Sequence, residues 1–112
     1  MSRKFILISK TFDKRKRQIS MGQNSYSKTS PVMKSIGERI GVPFKEYLHA
    51  ETLALLRCKD KVPYLLTVER YDTEGNMKLS KPCAICEEAM RIWGVSIVRY
   101  TTDNGWVEER LK

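Results

Sequence analysis

Apolar and polar residues alternate in short runs near both ends of the chain and fall at helical spacing in stretches between. FILISKTF (5–12) is apolar and β-branched enough for a strand. RQISMG (17–22) alternates, and the polar DKRK (13–16) separates the two, which predicts a hairpin. NSYSKTSP (24–31) reads as a loop, and PVMKSIGERIG (31–41) as a short helix weakened by Gly37 and ended by Gly41. The clearest helical stretch is HAETLALLRCKD (49–60), with Leu53, Leu56 and Cys58 as its expected buried side. PYLLTVERY (63–71) is a strand with an apolar first half, and DTEGN (72–76) is a turn. CAICEEAMRIWG (83–94) is a second helix, with Pro82 just before it and Gly94 as its stop. VSIVRYTT (95–102), DNG (103–105) and WVEERL (106–111) predict a C-terminal β-hairpin. The order β-β-α-α-β-α-β-β implies an α/β fold with one mixed, five-stranded sheet and helices packed on it. The crossover from 63–71 to 95–102 makes that pair parallel, and the tight turn makes the last pair antiparallel.

A chain of 112 residues suits one domain, taken as 1–112, and its 41% hydrophobic content is ordinary for a globular fold. The longest apolar runs, FILI (5–8) and YLL (64–66), are far shorter than a membrane span. The basic start has too short an apolar core for a signal peptide. The expectation is a soluble, cytoplasmic protein with no membrane partner. Cys58, Cys83 and Cys86 make an odd count, which favours reduced thiols over a disulfide framework. The net charge is +8, and much of the excess lies in Lys14-Arg15-Lys16-Arg17. Such a run is usually a solvated turn, although it also attracts phosphate.

The cysteines of PCAIC (82–86) are three apart, which fits a redox pair, half of a zinc site, or two core residues. Their helical spacing puts both on one face at a helix start, where the helix dipole favours thiolate. The single histidine, His49, opens the preceding predicted helix, and a strand lies between the two. In a β-α-β arrangement both helix starts can adjoin. His49, Cys83 and Cys86 then supply three ligands to Zn2+, and Cys58 lies too far along its helix to be the fourth. Three protein ligands and an open position are the arrangement of a catalytic zinc. Glu51, in the same first turn as His49, is placed to move a proton; alone, it would be read as an acidic residue complementing the helix dipole.

The combination of His49-Ala50-Glu51 with Pro82-Cys83-Ala84-Ile85-Cys86 resembles the cytidine deaminase-like zinc hydrolases, whose signature is H-x-E followed by P-C-x-x-C. The likeness covers most of the chain and implies a three-layer α/β/α sandwich. It also implies that His49, Cys83 and Cys86 are the zinc ligands and Glu51 the catalytic proton shuttle. The reaction would be hydrolytic attack at C4 of a cytosine or C6 of an adenine, with loss of ammonia. Gly22-Gln23-Asn24 resembles the family's G-x-N, which makes Asn24 a candidate for binding the sugar. The Ala50 N–H would hold the base carbonyl, and Ser80 and Lys81 would line the approach. Histidine at position 49 resembles the nucleotide and polynucleotide branches, whereas the final hairpin departs from their parallel fifth strand.

The leading expectation is therefore a hydrolase acting on cyclic amidines, converting the cytosine of a (deoxy)cytidine nucleotide such as dCMP, or of a nucleoside, to uracil. The alternative is deamination within single-stranded DNA or RNA, with the basic turn binding backbone and Tyr26, Tyr100 and Trp106 stacking on bases. A non-catalytic zinc-binding module and a redox cysteine pair are the readings from other classes. The exposed final hairpin is compatible with a homo-oligomer.

Overall fold

The computed structural model describes residues 6–24, 35–36, 38–41 and 49–111. The first hairpin forms as its alternation predicts. Strand β1 (Ile6–Phe12) pairs antiparallel with β2 (Gln18–Gln23), with a register shift between Thr11 and Phe12. Asp13 holds the turn: its carboxylate accepts hydrogen bonds from the backbone N–H groups of Arg15 and Arg17. The chain continues through α1 (Ala50–Leu56), β3 (Leu65–Tyr71), β4 (Met77–Lys78), α2 (Ala84–Trp93), β5 (Ile97–Thr102) and β6 (Gly105–Arg110). Of the helix expected over 31–41, Ser35, Ile36, Glu38 and Arg39 are helical. The rest of that segment, and Tyr26, lie outside the described residues.

The sheet is mixed, with order β2-β1-β3-β5-β6. The five expected strands form this path. The pair β3–β5 is parallel and the others are antiparallel, as the crossover and the final tight turn require. A sixth strand, β4, pairs with β3 at Arg70 and Tyr71, just past the residues that β5 takes up. Two residues are too few to show an alternation, so only the turn before β4 was legible.

Leu66 and Val68 of β3 and Val98 and Tyr100 of β5 point to one face of the sheet. They form a continuous core with Leu55 of α1 and Ile85, Ala89 and Met90 of α2. Both helices therefore cover the same face. Ile36 joins this core as well, so the described residues supply two of the three expected layers. Gly94, at φ 88°, ends α2 in the left-handed conformation, with its N–H on Arg91 O and the Val95 N–H on Met90 O.

Helix α1 differs from expectation in its buried side. Cys58 is buried as expected, but Leu56 is 38% exposed, and burial runs instead through Ala50, Glu51, Thr52, Ala54 and Leu55. The reason is the close approach of β2. A Cβ on Gly22 would lie 2.6 Å from the Ala50 oxygen, and Ser20 Oγ donates to the Ala54 carbonyl at 2.6 Å. Small residues are needed on that side, and the leucine spacing does not reveal it. The helix also stops at Leu56, short of the expected 60, with Cys58 N–H bonded to Leu55 O and Lys59 at φ 56°.

Candidate metal centre

His49 and Cys83 occupy equivalent positions. Each is the N-cap of its helix, extended in backbone (φ −84°, ψ 155° and φ −71°, ψ 170°), and neither side chain caps its own helix. Each carbonyl accepts the first intrahelical bond, from Leu53 N–H and Glu87 N–H respectively. The side chains are thus released from capping and turn towards the gap between the two helix starts. Cys86, one turn into α2, points the same way and is fully buried.

The three ligand atoms all lie within 4.8 Å of one another. His49 Nδ1 is 3.2 Å from Cys86 Sγ and 3.5 Å from Cys83 Sγ. A tetrahedral ion with Zn–S of about 2.3 Å and Zn–N of about 2.0 Å sets N···S edges near 3.5 Å. The donor set and its spacing therefore fit a zinc ion bound through Nδ1 and two sulfurs. Thr52 Oγ1 lies 3.8 Å from Cys86 Sγ and joins α1 to the buried ligand.

The electrostatics divide the two thiols. The Cys83 thiol is lowered to about 4, chiefly because the Cys86 thiol hydrogen-bonds to it, with His49 adding to the effect. Cys86 is pushed well above its ordinary value by the same bond and by burial. One thiolate is thus ready at the mouth, and one proton remains to be displaced from the buried sulfur. Glu51 is 4% exposed, and burial raises its carboxyl above the usual range. His49 pulls the other way, and Cys83 adds to the rise. A buried carboxyl that interacts with all three ligand side chains is suited to carry a proton beside a metal.

The other sequence candidates divide. Ala50 is fully buried, and its N–H is a first-turn donor at the start of α1. Asn24 lies past the end of β2, where its Oδ1 accepts from Leu7 N–H at 3.1 Å and its N–H donates to Leu7 O. Ser80 is placed differently from the expectation of an approach residue. It is 4% exposed, and its hydroxyl donates to Val68 O at 2.8 Å and accepts from Thr101 N–H at 2.8 Å. That hydroxyl ties β5 to the stretch after β4. Lys81 is exposed and pairs with Glu109 at 3.8 Å. Tyr100 is 5% exposed and bonded to Glu109, so its ring is core and unavailable for stacking. Thr52 and Gly22 have roles beyond their sequence reading; a glycine inside a strand was the available signal for close backbone approach.

The basic turn is not part of this centre. Phe12, next to the turn, pairs with Leu65 at the start of β3, whereas Cys83 follows β4 near the end of β3. Ten-residue α2, capped by Cys83 and Gly94, separates the two by a rise of about 15 Å. Comparison with family models, with curated proteins and with solved structures gives no match. What the fold and site define is a mixed α/β protein with a His-Cys-Cys group able to hold a metal ion. Among the described residues, no helix is long and apolar enough to cross a membrane.

Proposed function

We propose that the chain is a zinc-dependent hydrolytic deaminase, a hydrolase of cyclic amidines that converts a cytosine moiety to uracil. A (deoxy)cytidine nucleotide such as dCMP is the leading substrate, and cytosine or adenine in single-stranded nucleic acid is the alternative. One observation carries the reading: a buried, protonatable Glu51 interacts with the three ligand side chains His49, Cys83 and Cys86. A structural zinc site has no use for that carboxyl, whose burial costs free energy and supplies no ligand.

When bound, zinc would supply a water acidified towards about pH 7. Glu51 would carry two protons in turn: one from the attacking water to the ring nitrogen, where it stays, and then the remaining hydroxyl proton to the departing amino group. One water is consumed and one ammonia released per base. The Ala50 N–H, at the first turn of α1, is the donor suited to the base carbonyl. His49 and Cys83, fixed as helix N-caps, hold their ligand atoms on rigid elements.

The test is ammonia release and uracil formation by zinc-loaded protein from dCMP, CMP, deoxycytidine and cytidine, with oligonucleotides as a second panel. Glu51→Ala should keep its zinc and lose turnover by at least about a hundredfold. No product from any cytosine or adenine substrate would remove the reading and leave a metal-binding module.

A further inference from the structure

At the end of the sheet far from the metal centre, two adjoining hollows share Asp13, Lys14 and Tyr64. One, of about 420 Å³, runs over the sheet face that no described helix covers, past Leu65 and Thr67 to Arg99. The other, of about 600 Å³, passes Arg15 and Arg17 to the end of α2 at Gly94. Together they carry the cations Lys14, Arg15, Lys16, Arg17 and Arg99 against two carboxylates. Both carboxylates are already engaged. Asp13 accepts from the Arg15 and Arg17 backbone and from Arg17 Nε, and Glu108 pairs with Arg99 at 3.5 Å.

Tyr64 stands at the junction. Its backbone is fixed by bonds to Phe12 O and from the N–H groups of Ser96 and Ile97. Lys14 Nζ lies 5.8 Å from its ring centre. Along the same face Arg99 sits 5.9 Å from the ring of Trp106, which is 44% exposed. The groove thus offers the Tyr64 ring held on the sheet, with cations on either side.

We propose that this groove binds single-stranded nucleic acid, with phosphates on Lys14, Lys16 and Arg99 and a base stacked on Tyr64. Cations flank the ring along two hollows, which suits several successive phosphates better than one. A half-buried ring can be reached by an unstacked base and not by bases inside a duplex. A second copy of this chain would bring like charge against like charge. The site is separate from the metal centre and stands whether or not that centre deaminates.

The experiment measures binding of labelled oligo-deoxythymidine and oligouridine of about twelve nucleotides by fluorescence anisotropy over a range of salt. Neither base carries an amino group, so binding is read apart from deamination. The expected result is binding with a slope of log K against log salt of about −2, as for three phosphate contacts. Lys14→Gln with Arg99→Gln should make the slope shallower by about 1.4. Tyr64→Leu should weaken binding at least about fivefold, and Tyr64→Phe should restore it. Arg39→Gln with Lys78→Gln removes the same charge outside the groove and should leave the slope within about 0.3 of the parent. The proposal is overturned by no binding at low salt, by equal affinity for duplex, or by an equal effect of the two double substitutions. Unchanged denaturation midpoints establish that each variant is folded.

Discussion

A methyl group on Gly22 would lie 2.6 Å from the Ala50 oxygen and 2.7 Å from the Ala54 nitrogen, both backbone atoms that cannot rotate away. Gly22→Ala must therefore push β2 off α1, at a cost of about 1–3 kcal/mol by overpacking. The displaced segment is the first turn after His49, so zinc affinity should fall along with stability. Urea denaturation and competition with a chelating dye read the two effects; unchanged zinc affinity in the alanine variant would show that the contact does not position His49. Thr52 makes a complementary case. Its hydroxyl is a buried polar neighbour of Cys86, and Thr52→Val keeps the shape while removing the hydroxyl. Zinc affinity should drop by about tenfold, the lower end for loss of a group supporting a ligand. The ligand residues themselves were legible, because cysteines at i, i+3 and a single histidine leave few combinations. Thr52 was not, since a threonine within a helix carries no pattern of its own.

Local chemistry specified most of the elements. Gly94 marks the end of α2 because only a glycine adopts φ 88° without strain, and the two backbone bonds that close the helix depend on it. Gly94→Ala should cost about 1–2 kcal/mol, the penalty for placing a Cβ in the left-handed region. Among the described residues the added Cβ meets Val62 alone, at an ordinary 3.5 Å, so the loss is conformational rather than steric. It should be the same with and without zinc, since the centre lies at the other end of the helix. A zinc-dependent difference in the denaturation midpoint would contradict that separation. The elements that escaped the sequence are those with least local signal. Strand β4 has two residues, and the buried side of α1 is decided by Ser20 and Gly22 of another strand. Apolar spacing alone pointed to Leu56, which the fold leaves 38% exposed.

At the scale of the whole molecule, sheet register sets the functional geography. The same strands place the basic turn at one end and the His-Cys-Cys group at the other. Charge composition says only that the excess exists; the pairing of Phe12 with Leu65 decides where it lies. A bound zinc ion would couple one end to overall stability, because His49 at the start of α1 lies against Cys83 and Cys86 of α2. Free zinc at a hundred times its dissociation constant should raise stability by about 2.7 kcal/mol, and chelation should reverse the gain. The gain must shrink on acidification, because ligands bind metal after losing their protons. The two thiols contribute unequally. Cys83, lowered to about 4, is already ionised at neutral pH, whereas Cys86 is held well above its ordinary value and releases a proton when metal enters. His49 must also be neutral. Zinc binding should therefore release about one proton near pH 7, the one held by Cys86. Calorimetric titration in buffers of different ionisation enthalpy measures this number. Release of two protons at neutral pH would mean that both thiols are protonated before the metal arrives, and that the ready thiolate inferred at Cys83 does not exist.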